Sequence, residues 1–148
     1  MTLEEKIQKD LITAMKAKDE VTLRSVRSIK AAILLLKTDG SGQAIDEDKE
    51  IKLLQKMVKQ RKESLAIFEQ QGRSELAIIE REEIAVIEKY LPQKLSNEAV
   101  EEIVKKIIVD TGAVGMKDMG KVISAASKQL AGQAEGAVIS GIVKKLLA

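Results

Sequence analysis

The stretch EKYLPQKLS at residues 88–96 interrupts a chain that otherwise shows helical periodicity, and it contains Pro92, the only proline among 148 residues. Proline lacks the backbone N–H that a helix interior needs, and it disfavours the α conformation of the preceding residue, Leu91. A helix that reaches Tyr90 should therefore end here. We predict two helical domains, residues 1–92 and 93–148.

Four apolar patterns of helical period precede the proline. The third is the most regular: it runs from Ile51 to Phe68, and Gly72 is a natural end for it. The fourth runs from Ser74 to Tyr90, and we predict Ser74 as its N-cap. The third and fourth patterns together predict a long helical hairpin that turns at Gly72.

Three shorter apolar patterns follow the proline. Leu95, Ser96 and Val100 fit a hydrophobic staple around a capping serine, and the first apolar face then continues to Gly112. The predicted fold class is therefore all-α, with an N-terminal four-helix domain that contains the long hairpin and a small C-terminal three-helix bundle.

Arg61 falls on the apolar stripe of the third helix. If the hairpin folds back about Gly72, Arg61 lies as far before this glycine as Glu83 lies after it, and Glu80 is one turn nearer. An unpaired buried charge is costly, so we predict a structural ion pair of Arg61 with Glu83 or Glu80. The alternative is that Arg61 lies at the stripe edge and keeps its guanidinium in water.

The chain contains no His, no Cys and no Trp. It therefore lacks the side chain that titrates near neutrality, the usual zinc ligands and the thiol nucleophile. No spacing of Lys, Asp, Glu or Ser indicates a catalytic set, so we expect no catalytic residue, no cofactor and no metal. The acidic residues 46–48 and Glu50 precede an apolar pattern, which favours helix capping over metal binding.

Charge differs little between the predicted domains: residues 1–92 carry 17 basic and 17 acidic side chains, and residues 93–148 carry 8 and 6. Any contact with nucleic acid should therefore depend on local basic patches and be weak and salt-sensitive. No apolar run approaches the roughly 20 residues of a membrane span, so we expect no membrane contact. The acids at residues 4–5 do not fit a signal peptide, and with the absence of Cys they lead us to predict a cytoplasmic location.

Several short motifs, spread over essentially the whole chain, carry a family resemblance. QRKES at 60–64, YLP at 90–92 and DMGKV at 118–122 resemble the GatB/YqeY family, and the match is nearest to its stand-alone members. AEG at 134–136 stands where members often show Ala-Asp-Gly, a departure that retains the acid.

The resemblance implies an all-helical protein whose C-terminal domain is similar to the tail of the B subunit of the glutamine-dependent tRNA amidotransferase. In that enzyme the tail contacts tRNA while other regions perform the chemistry. The family is associated with carbon–nitrogen ligases that use glutamine as amido-N-donor, but this chain resembles the tail only. We therefore expect a non-catalytic module whose partners are tRNA and an amidotransferase or another translation-related protein.

By this resemblance the C-terminal domain is the first candidate for RNA contact. The basic candidates are Lys117, Lys121, Lys128, Lys144 and Lys145. Three glycines would let a phosphate approach the backbone closely, namely Gly120, Gly136 and Gly141. The alternative is structural, because lysines near helix C-termini stabilise the helix dipole and small residues often serve packing.

Two other functions stay open. The chain could be a protein-interaction adaptor that uses an exposed helical face. It could also be an amidase or carbon–nitrogen ligase with glutamine as amido donor, which a pocket joining Ser64 or Ser140 to a lysine would favour.

Overall fold

The computed structural model of the chain describes residues 1–40, 42 and 44–148. These residues form seven α-helices and one 3₁₀ turn and include no strand, so the predicted all-α class is confirmed. The chain divides into two compact units, Met1–Leu91 and Pro92–Ala148. The helices are α1 Leu3–Ala17, α2 Glu20–Lys37, α3 Glu47–Gln70, α4 Ser74–Glu88, α5 Asn97–Thr111, α6 Met119–Gln129 and α7 Gly136–Leu147.

Side-chain caps define the first two helices of the first unit. The Thr2 hydroxyl accepts a hydrogen bond from the Glu5 N–H, and the Asp19 carboxylate accepts one from the Thr22 N–H. Between the helices Lys18 adopts a left-handed conformation with φ 56° and ψ 36°. These caps satisfy backbone groups that the helix ends leave unpaired, so α1 and α2 are joined by only two residues.

The α3–α4 turn is built on Gly72, whose φ is 69°. The Arg73 N–H donates to the Phe68 carbonyl at 2.8 Å and the Gly72 N–H donates to the Glu69 carbonyl at 3.1 Å, the pattern of a Schellman C-cap. The predicted N-cap at Ser74 is wrong, because Arg73 holds that position without a side-chain cap and Ser74 is already helical. The turn is too tight to leave a separate capping residue.

Each unit has its own apolar core. In the first unit the largest fully buried side chains come from all four helices, and they are Ile7, Ile29, Leu54 and Ile87. In the second unit the residues of zero exposure come from all three helices, and they are Val100, Val104, Val122, Ala126 and Val143. No helix in the described ranges is both long and apolar enough to cross a membrane.

The second unit begins with the cap that the sequence predicts. The Ser96 hydroxyl accepts a hydrogen bond from the Ala99 N–H at 3.2 Å, and Gly112 ends α5 with a φ of 69°. The 3₁₀ turn Met116–Asp118 then leads into α6, and the Val114 N–H donates to Asp118 Oδ2 at 3.0 Å. This connection positions Lys117 and Lys121 at the start of α6.

Candidate functional site

The five lysines proposed for RNA contact are all exposed, but two of them already have partners. Lys121 Nζ donates to the carbonyl oxygen of Thr111, the last residue of α5, at 3.1 Å. A cation at this end of a helix is stabilised by the helix dipole. Lys145 Nζ lies 3.9 Å from Glu101 Oε2. Both side chains therefore have structural roles within the second unit.

The side-chain amines of the other three, Lys117, Lys128 and Lys144, have no ion-pair or hydrogen-bond partner among the residues that the structure describes. Lys128 lies in the last turn of α6 and Lys144 in the last turn of α7. A phosphate could approach them without displacing an internal contact. They are the most available cations of the predicted set.

The predicted lysines are distributed over the unit. Lys121 contacts Thr111 and Lys145 lies beside Glu101, and these two partners are ten residues apart on α5, about 15 Å along its axis. The second unit therefore presents its cations at separate places, with Lys144 and Lys145 adjacent on α7. This arrangement suits several weak contacts to an extended anion better than one tight site.

The predicted glycines lie in open space. A Cβ atom added at Gly120, Gly136 or Gly141 would meet nothing within 4 Å in the described chain, and none of the three has a positive φ. Neither packing nor backbone conformation explains why glycine occupies these positions. Gly141 also lies in the interior of α7, where glycine costs roughly 1 kcal/mol relative to alanine, and Gly120 lies in the first turn of α6.

Arg61 lies at the interface of three helices in the first unit. Its Nη1 donates to the Met57 carbonyl at 3.2 Å, its Nη2 donates to the Ser28 hydroxyl, and its Nε lies 3.9 Å from Glu83 Oε2. Only 17% of the Arg61 side chain and 13% of the Glu83 side chain are exposed. Of Glu83 and Glu80, the two partners that the sequence suggested for Arg61, Glu83 is the one that forms the ion pair.

A second arginine, Arg24, forms a charged cluster with Arg61 and Glu83, and its participation was not predicted from the sequence. Arg24 Nε lies 3.9 Å from Glu83 Oε1, and Arg24 Nη2 lies 3.8 Å from Glu82 Oε1. Both Arg24 nitrogens and the Arg61 Nε are shielded from solvent without a hydrogen-bond partner in the described chain. These distances give charge attraction without a hydrogen bond. Arg24 on α2 could have been suspected because it begins a run in which polar Ser25 and Ser28 interrupt the apolar pattern.

Glu80 lies close enough to Glu83 and Arg61 to interact electrostatically with both. Burial raises the pKa of Glu80 above its ordinary value of 4.5, the nearby Glu83 carboxylate raises it further, and Arg61 partly offsets the rise. The cluster therefore joins α2, α3 and α4 through two guanidinium groups and several carboxylates. Such an arrangement holds the three helices together.

Other reactive arrangements are not seen in the described ranges. Neither Ser64 nor Ser140 hydrogen-bonds a lysine there, and no group of acidic residues is arranged to hold a metal. The Tyr90 hydroxyl donates to Asp10 Oδ2, and burial, followed by this contact, raises the pKa of Tyr90 well above its ordinary value. Tyr90 is thereby tied to α1 instead of being free to stack on a base.

Comparison with known protein families shows the family to which the chain belongs. The family model described as Yqey-like protein matches residues 4–147, which includes nearly all of both units. The chain belongs to the Yqey-like protein family.

Three similar proteins are all called altered inheritance of mitochondria protein 41, mitochondrial. The chain is 42% identical over 85 residues to that of Meyerozyma guilliermondii, which covers 57% of this chain and 44% of the relative. It is 36% identical over 121 residues to that of Clavispora lusitaniae, covering 82% of the chain and 69% of the relative. For Saccharomyces cerevisiae YJM789 the identity is 34% over 101 residues, covering 67% and 55%. The chain thus spans less than half of the first relative's length and about half to two thirds of the others.

These relatives contradict the predicted cytoplasmic location, because each is named a mitochondrial protein. The prediction used the acids near the start of the chain and the absence of Cys. Targeting is carried by segments that are removed from the mature protein, so the composition of the folded units does not report the compartment.

Proposed function

We propose that this Yqey-like protein is a non-catalytic accessory module that binds tRNA through its second unit and acts beside a tRNA amidotransferase or a related translation protein. The observation that carries the proposal is the open space over Gly120, Gly136 and Gly141, for which the described chain offers no packing reason. On α7, Lys144 and Lys145 follow Gly141 by three and four residues, so they border the same helix face.

The proposed contact is made with phosphates. A glycine leaves the backbone accessible, and a lysine one turn away supplies a flexible positive charge that needs no fixed geometry. Contacts of this kind position a protein on RNA without reading its sequence.

Base stacking has little support in this chain. Its aromatic side chains are Phe68 and Tyr90, and both lie in the first unit. Proteins that read unpaired bases usually stack them on aromatic rings. Recognition of the shape and backbone of folded tRNA is therefore the mode that we propose.

The test is a titration of the purified protein with total tRNA at two salt concentrations. If three phosphates are contacted, a fourfold rise in salt should weaken binding about 40-fold. Lys117→Ala and Lys144→Ala should each reduce this salt dependence. Lys16→Ala, which removes an exposed lysine from the first unit, is the control and should leave it unchanged. Absence of salt-dependent binding would refute the proposal.

A further inference from the structure

A groove lies in the first unit where the last turn of α2 and the segment that follows it face the N-terminal half of α3. Its volume is about 340 Å³. The floor is aliphatic and consists of Leu36, Ile45 and Leu53, and one wall consists of Lys49, Lys52 and Lys56. The tRNA proposal uses none of these residues.

The periodicity of α3 explains the lysine wall. Lys49, Lys52 and Lys56 are spaced by three and four residues, so they lie on one face of the helix. They extend over about 10 Å of helix axis, or two turns. The sequence alone suggests a solvated polar face here, because the position of Leu36 on another helix is not visible in it.

The aliphatic floor is only partly used by the core. Ile45 and Leu53 pack against the buried core of the first unit, whereas Leu36 is not among the residues that do. Leu36 is half-buried, and its neighbour Leu35 is 72% exposed. The described residues therefore leave apolar surface uncovered at this end of α2.

The charges in the groove are unbalanced. Asp39 is the only acid in its described lining, against three lysines. Lys49 Nζ donates to the Ala44 carbonyl at 3.2 Å, and Lys52 Nζ lies 3.1 Å from Asp48 Oδ2 in an exposed pair that contributes little stability. Lys56 makes no ion pair within the described residues. The groove thus complements a ligand that carries both carboxylates and aliphatic side chains.

We propose that this groove docks an acidic amphipathic helix of a partner protein. Two turns of such a helix could place two or three aliphatic side chains on the floor, with carboxylates opposite the lysine wall. RNA fits less well, because an aliphatic floor offers no aromatic ring on which a base could stack. A small molecule also fits less well, since the groove lies open on the surface and small-ligand sites enclose most of their ligand.

The probe is a fluorescein-labelled synthetic peptide about four helical turns long, with leucines along one face and glutamates elsewhere. A matched peptide has lysines in place of the glutamates. We expect the acidic peptide to raise fluorescence anisotropy when titrated with the full chain, less strongly at higher salt, and the basic peptide to have no effect. The assay contains no tRNA, so its outcome is independent of the proposed tRNA function.

Substitutions of groove residues test whether the peptide binds in the groove. Lys52→Glu combined with Lys56→Glu should weaken binding of the acidic peptide about tenfold or more, because two charge attractions become repulsions. Lys62→Glu makes one such charge reversal on another face of α3 and should have little effect. Leu36→Ser should also weaken binding, while Ile12→Ser, an apolar-to-serine change at an exposed position on α1, should not. Circular dichroism verifies that each variant is folded.

Several outcomes would overturn the proposal. Equal binding of both peptides, no binding of the acidic peptide, or unchanged affinity in the double variant would each do so. Binding of a short RNA that the lysine reversals abolish and Leu36→Ser leaves intact would assign the groove to nucleic acid. Concentration-dependent dimerisation that Leu36→Ser abolishes would assign it to a second copy of the chain.

Discussion

Arg61 places a guanidinium group inside a helical interface where an aliphatic side chain would otherwise pack. Its contacts reach three helices through Met57, Ser28 and Glu83, and Arg24 approaches the same Glu83 carboxylate from α2. The position of Arg61 on an apolar stripe could be predicted from sequence because helical period alone defines it. For Arg24 the only sequence signal is the interruption of the apolar pattern by Ser25 and Ser28, because its contact with Glu83 depends on how α2 packs against α4.

Replacing Arg61 with Leu should destabilise the first unit. The change leaves Glu83 largely buried with Arg24 as its remaining cation. Removing one partner from a mostly buried pair is costly, so we expect a loss of about 2 kcal/mol in the free energy of unfolding. Urea denaturation measures it. A double-mutant cycle with Glu83→Leu supplies the control: simple additivity of the two single effects would show that the side chains are not coupled.

Glu80 makes stability depend on pH in a defined direction. Burial, and then the Glu83 carboxylate, raise the pKa of Glu80 above 4.5, so the folded state binds this proton more tightly than the unfolded state does. Glu80 therefore stabilises the folded state at pH values below 4.5, and this stabilisation is lost as the pH rises through the folded-state pKa of Glu80.

Glu80→Gln should accordingly raise the melting temperature at neutral pH, and the gain should shrink as the pH falls to 4.5. Thermal melts followed by circular dichroism at both pH values measure this difference. Glu63→Gln is the matched control, because Glu63 is exposed on α3. A gain from Glu80→Gln that is the same at both pH values would contradict the assigned cause.

At the scale of helices, local signals predicted several boundaries well. The Gly72 turn and the Ser96 cap were predictable because each depends on a few adjacent residues and a known backbone geometry. The prediction of Ser74 as N-cap failed because the Schellman turn uses the amides of Gly72 and Arg73 and leads directly into α4. The groove beside α3 was not predictable, since it arises from helices that are separated by a loop.

Gly72→Ala should destabilise the α3–α4 hairpin. The φ of 69° at Gly72 is a left-handed conformation that costs an alanine about 1–2 kcal/mol, although a Cβ there would meet no neighbouring atom. Chemical denaturation measures the loss. Gly72→Asn is the control and should cost less, because asparagine tolerates this conformation. Equal stability of the alanine variant and the parent chain would show that the turn relaxes to another geometry.

At the scale of the whole chain, the two units present different chemistry. The first unit contains the charged cluster and the lysine-walled groove, and the second has separated lysines with open glycines. The family assignment extends over both, since its match runs from residue 4 to residue 147. Function could be inferred from sequence only to the level of family, because phosphate contacts depend on exposed single charges that have no distinctive pattern.

Alanine substitutions at the glycines of the proposed tRNA surface should raise stability and weaken tRNA binding. Gly120→Ala and Gly141→Ala each replace a helical glycine under open space. Gly141 lies in the interior of α7, so its replacement should raise the free energy of unfolding by roughly 0.5–1 kcal/mol, and Gly120→Ala in the first turn of α6 should give a smaller gain. Each adds a methyl group where a phosphate is proposed to approach, so tRNA affinity should fall in the same titration that tests the proposed function.

The control for the two glycine variants is Thr13→Ala on α1. Thr13 is exposed, and its hydroxyl donates to the Lys9 carbonyl. Alanine has the higher helix propensity, so this variant should also be more stable, but its change lies in the first unit and should leave tRNA affinity unaltered. If the two glycine variants gain stability and bind tRNA as the parent chain does, these glycines lie outside any RNA interface. The proposed phosphate contacts would then have to be made by the lysines alone.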